Sequence, residues 1–417
     1  MRSFQKRLIA IFFVALALCS MKMIKTYMKS QNRNHQPERA AWLSTSDICL
    51  PFEMNSVAQG CTSFKQTECL LLSSCNISAP TFNFSPVRYY NERFCGRQDI
   101  STQDYTERYF WEKVASNLGM LAESEESACL TLLYMKPQHY VKHNQPPCRV
   151  QPTILPESQW GGGQGVAFIS NLDKAPTWWP ELLGRPIQLA SHMLKCFYRE
   201  NYDISIPLFY NTEKKKKNVK VYHELYNGNS LPPDMRAFFL TVQASAYPEA
   251  RGAARLSLTQ LHDPGKGVVV QLSCNAKSDP SKICQHLNDV KEQNGIYEYD
   301  HLMNTTFALV PEGRSPATYR LNEVLAAGAI PVFFGDTGNC YTKPFSELVD
   351  WEAMSLSFTT GEVNDILSTL RAIDGPTRLR MQALGQEAFR SYFESNVKMA
   401  TTMLTLLGRR VQETATS

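Results

Sequence analysis

The 417-residue sequence has little excess charge of either sign, since its formal net charge at pH 7 is only +4. Proteins that bind nucleic acid usually carry a strongly basic surface, so this charge predicts no nucleic-acid partner. The one dense basic run, Lys214 to Lys217, is predicted to be a solvated loop. No repeat occurs at the periods of solenoid proteins, which favours globular domains.

The sequence also lacks any CxxC metal knuckle, although it contains 12 cysteines. In an oxidising compartment a bunch of cysteines predicts disulfides instead. Two disulfides are predicted within one group of four: Cys49, Cys61, Cys69 and Cys75. A third, local disulfide is predicted between Cys274 and Cys284.

A short apolar run, Leu8 to Met21, lies near the amino terminus with basic residues on both sides. The run is short for a spanning helix, but it lengthens if Lys22 snorkels to the membrane interface. A signal peptide cleaved near Ala15 and Ala17 is the alternative. Because the basic flank follows at once, we predict a signal anchor and a lumenal carboxyl-terminal bulk. Sequons at Asn76 and Asn304 agree with that placement.

Beyond this segment the pattern alternates between helices and strands, and the length suffices for two domains with full cores. A stretch rich in Lys, Asn, Gly and Pro separates the two halves. The predicted segments are a cytoplasmic tail (1–7), a signal anchor (8–24), a stem (25–46), a first Rossmann-like domain with a cysteine-rich entry (47–212), a linker (213–234) and a second Rossmann-like domain with a terminal helix that packs back (235–417).

The most informative stretch runs from Phe307 to Asp336 and contains two short apolar runs around one polar helix pattern. The apolar runs predict buried parallel strands. Ser315 is predicted to cap the helix, Pro316 to open it, and Gly328 to adopt the left-handed conformation just past its end.

This strand–loop–helix unit predicts an anion site at the carboxyl end of a strand. Arg320 and Arg314 can meet a diphosphate, and Glu323 can accept hydrogen bonds from ribose hydroxyls. The alternative is a surface ion pair, because Arg320 and Glu323 are spaced i, i+3. Arg255, near the start of an earlier predicted helix, is a further candidate.

Four stretches resemble the exostosin glycosyltransferase domain. The first is Phe307 to Phe334, with its Pro-ended strand, Gly-Arg loop, aromatic-Arg pair and following Glu. The others are Tyr202 to Phe209, Tyr299 to Phe307, and Lys343 to Trp351, which holds Pro-Phe-Ser-Glu. The match is closest to the half of the heparan sulfate copolymerases that adds glucuronic acid.

The resemblance implies an α/β protein of GT-B fold, with two Rossmann-like domains facing a cleft and a UDP-sugar held mainly by the second. It implies sugar transfer with inversion to a glycan or glycoprotein acceptor, by a single-pass type II protein of the Golgi or ER membrane. A homodimer, or a heterodimer with another exostosin-like chain, is expected. The implied UDP contacts are Arg255, Gly313, Arg314, Ser315, Thr318, Arg320 and Glu323, with Arg320 also catalytic.

The sequence contains no Asp-x-Asp pair, the usual metal site of metal-dependent transferases. We therefore expect no cofactor and no divalent metal, with arginines neutralising the leaving group. Inversion needs a base. Asp203, His192 and Asp173 are candidates, and Asp203 is alternatively a cap at the start of a strand.

This chain departs from the animal copolymerases, which have Arg where Glu312 and Ser315 stand and His at Ala167. The loss of positive charge leaves the donor open between UDP-glucuronate and neutral donors such as UDP-galactose or UDP-xylose. The alternative function is a catalytically inactive exostosin-like subunit that binds glycan or an active partner.

Overall fold

The computed structural model describes the chain in stretches from residue 76 to residue 413. These are residues 76, 78–86, 103–124, 127–134, 165–170, 187–195, 198–210, 213–227, 231–246, 250–274, 297–313, 316–336 and 341–413. The predicted anchor, the stem, the four bunched cysteines and Cys284 lie outside the described residues.

The first sheet is fully parallel, with strand order β1-β2-β3-β4-β5. Its strands are β1 (Phe82–Pro86), β2 (Leu130–Tyr134), β3 (Val166–Ser170), β4 (Ile187–Ala190) and β5 (Ile204–Ser205). The described strand residues are almost all buried, as expected for a parallel sheet covered on both faces. The sequence pattern from residue 189 to 198 predicts a helix. That prediction is wrong, because Leu189 and Ala190 pair with β3 and β5 and turns follow.

The second sheet is also parallel, with strand order β10-β9-β8-β6-β7. Its strands are β6 (Phe238–Ala246), β7 (Val268–Cys274), β8 (Thr305–Pro311), β9 (Ile330–Phe334) and β10 (Leu356–Phe358). The chain leaves β6 towards β7 at one edge and then returns past β6 to β8. The strand order therefore reverses between β6 and β8, where open α/β sheets bind their ligands.

Helices flank both sheets. They are α1 (Gln103–Asn117), α2 (Glu213–Tyr222), α3 (Ala250–Ser257), α4 (Arg320–Ala326), α5 (Trp351–Met354), α6 (Ile366–Ala372), α7 (Gly375–Ala388) and α8 (Asn396–Glu413). Two π-helical turns continue α2 and α7, at His223–Asn227 and Phe389–Phe393. Short 3-10 turns lie at Pro233–Met235, Leu258–Leu261, Pro264–Lys266, His301–Met303 and Thr360–Asp365.

The lysine run lies in a helix, so the prediction of a loop there is wrong. Lys214 to Lys217 belong to α2. Val219 and Tyr222 in the same helix are buried at spacing i, i+3. This buried pair gives the helix an apolar face. The face was not recognised in the sequence because the run of lysines directly precedes it.

Two apolar cores hold the molecule together. One is shared by the first sheet, one face of the second sheet, α4 and α8, and the other covers the opposite face of the second sheet. The terminal helix α8 packs on α1, and Gln412 Nε2 donates to Ser78 O at 3.1 Å. The carboxyl-terminal helix therefore contributes to the core beside the first sheet.

Backbone and side-chain hydrogen bonds also join the first sheet to the chain segment that follows β9 of the second sheet. Ser205 Oγ donates to Thr342 O at 2.6 Å, and Phe345 N donates to Ser205 O at 2.8 Å. Tyr341 Oη donates to Ser191 O at 3.1 Å. The loop after β9 is thus anchored to the carboxyl ends of β4 and β5.

Among the helices of the described stretches, none combines the length and the apolar character needed to cross a membrane.

Gly328 confirms the predicted end of its helix, with φ at +63°. A Cβ there would lie 2.9 Å from Gln386 Nε2 and 3.3 Å from Arg236 Nη2. Because L-residues are strained in this conformation, we expect Gly328→Ala to lower the free energy of unfolding by about 1–2 kcal/mol. Urea denaturation monitored by circular dichroism measures the loss. Gly361→Ala is the matched control, since a Cβ there meets only Thr359 Oγ1 at 3.9 Å. An equal effect in both variants would contradict the argument.

Candidate functional site

A cavity of about 270 Å³ lies at the carboxyl ends of the second sheet, where the strand order reverses between β6 and β8. It is lined by Gln243, Ala244, Ser245, Arg255, Ser273, Tyr299, Pro311, Thr318, Arg320 and Glu323. Four of the residues predicted from the sequence therefore meet at one cavity: Arg255, Thr318, Arg320 and Glu323.

The helix that carries two of these residues begins later than predicted. α4 starts at Arg320 with Tyr319 as its N-cap residue, so the prediction that Ser315 caps it is wrong. Thr318 provides part of the capping predicted for Ser315, because its Oγ1 accepts a hydrogen bond from Arg320 N at 3.3 Å. Arg314 and Ser315 lie outside the described residues.

Arg320 is a buried cation that points at the cavity. The residue is only 5% exposed, and its guanidinium nitrogens have no hydrogen-bond partner in the described part of the chain. Its Cζ lies 5.2 Å from the ring centroid of Tyr299, which is a cation–π contact. A buried guanidinium without hydrogen bonds is costly, so the site favours an anion that enters the cavity.

Glu323 lies one turn further along α4 and is 9% exposed. The hydroxyl of Tyr299 donates a short hydrogen bond to its Oε2. Burial in this environment raises the pKa of Tyr299, so the phenol stays protonated and keeps donating. The burial of Arg320 and Glu323 shows that the surface ion-pair interpretation is wrong.

Arg255 supplies a second cation to the cavity and is braced by the backbone. Its Nε donates to Glu312 O at 2.8 Å, Nη1 to Ser245 O at 2.7 Å and Nη2 to Pro311 O at 3.3 Å. A Cβ on Gly313 would lie 2.9 Å from Arg255 Nη2. The glycine at position 313 therefore allows the loop after β8 to pass over the guanidinium.

Tyr299 is a site residue that the sequence reasoning missed, together with the polar ends of β6 and β7 at Gln243, Ser245 and Ser273. Tyr299 lies just before a 3-10 turn and 21 residues before Arg320 in the chain. The sequence signal that could have identified Tyr299 as a site residue is its position in the stretch from Tyr299 to Phe307, which resembles the exostosin domain.

Glu312 does not line the cavity. Its buried side chain lies against Gly335, where a Cβ would be only 2.3 Å from Glu312 Cδ. The carboxylate therefore packs towards the end of β9, while its own backbone carbonyl faces Arg255.

Asp203 is fully buried just before β5, and its carboxylate accepts several hydrogen bonds. It accepts from Arg199 Nη2 at 2.7 Å, from Arg199 Nε at 2.8 Å and from Gln188 N at 2.8 Å. Burial raises its pKa, and the Arg199 bonds oppose that shift. The residue is absent from the cavity lining, so its geometry fits a structural cap better than a base. Of the other base candidates, His192 is buried after β4 and Asp173 lies outside the described residues.

The two sequons differ in exposure. Asn76 is exposed, whereas Asn304 is partly buried just before β8. In the second sequon, the hydroxyl of Thr306 is buried and donates to Pro233 O. Glycosylation at either position stays a prediction.

These features define a class of domain: a Rossmann-like parallel sheet with an arginine-lined cavity at its topological switch point. The family model for the Exostosin GT47 domain matches residues 188–373, which include this cavity. That part of the chain is similar to the exostosin family of glycosyltransferases.

Curated relatives agree with the family. The chain is 31% identical over 219 residues to exostosin-1b of Danio rerio. The matched stretch covers 51% of this chain and 28% of exostosin-1b. It is 29% identical over 220 residues to exostosin-1 of Bos taurus, again 51% of this chain and 28% of the relative. The matched part is therefore less than a third of the length of these relatives.

Solved structures give more distant overlaps. WaaG, a glycosyltransferase involved in lipopolysaccharide biosynthesis, overlaps with a TM-score of 0.37 and 11% identity, covering 76% of this chain and 97% of WaaG. Sucrose-phosphate synthase from Thermosynechococcus elongatus overlaps with a TM-score of 0.34 and 13% identity. This overlap covers 81% of this chain and 100% of the synthase. The fold assignment rests on the two parallel sheets themselves.

Asp203→Asn tests the structural interpretation. The change weakens the buried pair with Arg199, so we expect it to lower the free energy of unfolding by about 2–3 kcal/mol. Urea denaturation measures the loss, and Glu200→Gln, at an exposed neighbouring position, is the control. Unchanged stability with lost turnover would instead place Asp203 in the chemistry.

Proposed function

We propose that this protein is an inverting glycosyltransferase that moves a sugar from a UDP-sugar donor to a glycan or glycoprotein acceptor. The observation that carries the proposal is the buried guanidinium of Arg320, which has no hydrogen-bond partner among the described residues and lines a switch-point cavity. An exostosin-type domain over residues 188–373 supports the same activity.

In this proposal the diphosphate of UDP binds between Arg320 and Arg255. Arg320 gains the hydrogen bonds that the protein does not give it, and Arg255 adds a second positive charge from a fixed position. Charge-assisted bonds of arginine to phosphate are among the strongest in proteins. The two cations stabilise the negative charge that develops on the leaving UDP, which is how they accelerate transfer.

Glu323 receives the ribose hydroxyls in the same proposal. Its Oε2 is already held by Tyr299, so the carboxylate is oriented before the donor arrives. The Tyr299 ring also lies beside Arg320, which couples the positions of the two charged groups. We propose that arginines rather than a divalent metal balance the diphosphate, and that no cofactor takes part.

We further propose a GT-B arrangement, with the acceptor on the side of the first sheet, and a Golgi location with the catalytic part in the lumen. Cys129, at the start of β2, is disulfide-bonded, and this supports an oxidising compartment. The exposed sequon at Asn76 supports the same side of the membrane.

Isothermal titration of the full-length protein with UDP tests the proposal directly. We expect binding, followed by sugar transfer or slow hydrolysis with at least one donor from a panel of UDP-sugars. The absence of UDP affinity, with and without manganese, would refute the proposed site. UDP binding without turnover of any donor would point to the catalytically inactive subunit instead.

The substitution Arg320→Met tests whether Arg320 serves UDP binding rather than the stability of the fold. Because the guanidinium loses no protein hydrogen bond, we expect the melting temperature to stay constant or rise. We expect UDP affinity to fall by roughly 10- to 100-fold through the loss of charged hydrogen bonds.

The matched control for this variant is Arg236→Met. Arg236 is also buried, but it donates to Leu231 O, Ala327 O and Gly328 O. Its replacement should destabilise the fold by about 2–4 kcal/mol and leave the UDP affinity of the folded protein unchanged. A marked loss of stability in Arg320→Met would make that residue structural.

Glu323→Gln should weaken donor binding by roughly 1–3 kcal/mol, because a neutral amide replaces a charged acceptor. Titration with UDP and with uridine locates the loss: both should weaken alike if Glu323 holds the ribose. The control is Glu224→Gln, which changes an exposed carboxylate in the π-helical turn after α2. An unchanged donor affinity in Glu323→Gln would remove the ribose contact from the proposal.

A further inference from the structure

The second sheet carries two glutamines at the same register on neighbouring strands. Gln243 on β6 pairs directly with Gln271 on β7. Leu240 and Val242 of β6 belong to the core on the face away from α4, so the alternation of side chains along the strand turns Gln243 to the face on which α4 packs. Gln271 shares that face, because residues paired in register project to the same side of a sheet.

The carboxamide of Gln271 binds a peptide group at both of its polar atoms. Its Nε2 donates to Tyr297 O at 3.0 Å, and its Oε1 accepts from Tyr297 N at 2.9 Å. The side chain is buried, and its two bonds hold the segment that leads into Tyr299. A carboxamide on this face thus binds a donor and an acceptor that are presented side by side.

Gln243, in contrast, faces the cavity that Arg320 and Glu323 also line. Its Oε1 is buried and has no hydrogen-bond partner in the described part of the chain. A buried acceptor without a donor costs free energy, so the site favours a ligand that brings a donor to this position. Because Arg320 in the same cavity needs acceptors, the complementary ligand carries both an anion and a separate hydrogen-bond donor.

The parts of UDP differ in the donors they offer. The oxygens of an ionised diphosphate are acceptors, and the proposed function places them between Arg320 and Arg255. It assigns the ribose hydroxyls to Glu323. The donor of UDP that is left is the N3–H of uracil, which lies between two carbonyl groups. A carboxamide can meet such an edge with two hydrogen bonds, one accepted and one donated.

We propose that Gln243 is a specificity-determining residue that binds the imide edge of uracil. Its Oε1 accepts from N3–H, and its Nε2 donates to a flanking carbonyl oxygen of the base. The inference rests on the proposed function and deepens it, because it assigns selection of the nucleobase to one side chain. Gln271 makes the equivalent pair of bonds to the backbone of Tyr297 on the same face of the sheet.

Isothermal titration of the full-length protein with UDP, 3-methyl-UDP and 2′-deoxy-UDP tests the assignment. The first analogue replaces the N3–H by a methyl group, whereas the second removes a ribose hydroxyl and leaves the imide intact. We expect the unmodified protein to bind 3-methyl-UDP about 10-fold more weakly than UDP, because the analogue offers no donor to Gln243.

Gln243→Met keeps the length of the side chain and removes both polar atoms. We expect UDP affinity to fall by about 5- to 10-fold and the affinities for UDP and 3-methyl-UDP to become nearly equal. The preference for UDP over 2′-deoxy-UDP should not change, because it depends on Glu323. Gln260→Met, at an exposed position in the 3-10 turn after α3, is the control and should leave all three affinities unchanged.

Melting temperatures show that each variant is folded. Gln243→Asn is the second variant, because it keeps a carboxamide but withdraws it by one methylene. It should also lose the discrimination against 3-methyl-UDP.

Equal affinity of the unmodified protein for UDP and 3-methyl-UDP overturns the inference, and so does discrimination that persists in Gln243→Met. If that variant instead loses the preference over 2′-deoxy-UDP, Gln243 contacts the ribose and the inference is again overturned. In each of these cases UDP binding still supports the proposed function. Absence of UDP binding by the unmodified protein overturns the proposed function itself.

Discussion

The complete burial of α4 is the constraint on which the site depends. All seven residues of the helix are buried, including one cation and one carboxylate. Water cannot solvate these charges as it would at a surface, so their positions are set by neighbouring protein groups and by whatever enters the cavity. Leu321, Val324 and Leu325 fix the rotation of the helix, because they belong to the core shared with the first sheet.

The carboxyl end of α4 is tied to other elements. At the carboxyl end, Gly328 turns the chain, and Arg236 donates to the carbonyls of Ala327 and Gly328. Gln382 Nε2 from α7 adds a bond to Gly328 O at 3.0 Å. These bonds satisfy the carbonyls of the C-cap residue Ala327 and of Gly328, which are buried just past the last turn of the helix.

The same helix connects the cavity at Arg320 to the first half of the molecule. Asn322 Nδ2 donates to Leu208 O at 2.8 Å, just beyond β5. The loop after β9 is bonded to the same region through Ser205 and Phe345. Separation of the two sheets would therefore break several buried hydrogen bonds and expose a shared apolar core. The position of the cavity relative to the first sheet is set by these bonds.

Local sequence signals predicted the parts of this arrangement that depend on local physics. The apolar runs at β8 and β9 predicted buried strands, and Gly328 predicted a left-handed turn, because both signals act over a few residues. The start of α4 could not be predicted from local sequence signals. Ser315 and Pro316 form a good local cap signal, but tertiary packing of the apolar face places the helix start at Arg320. Tyr299 was missed because its role depends on a contact across 24 residues.

The positive charge near the Arg320 cavity is distributed differently from what the resemblance alone implied. Glu312 stands where the resemblance implies an arginine, yet its side chain lies against Gly335 and does not line the cavity. The negative charge at that position therefore does not line the space proposed for the diphosphate. Lys343, in the chain segment after the neighbouring strand β9, lies over the ring of Phe333 on that strand and provides a cation from a different part of the chain. Because electrostatic recognition depends on where charges lie in space, a substitution of Arg by Glu at one motif position does not decide the charge of the substrate.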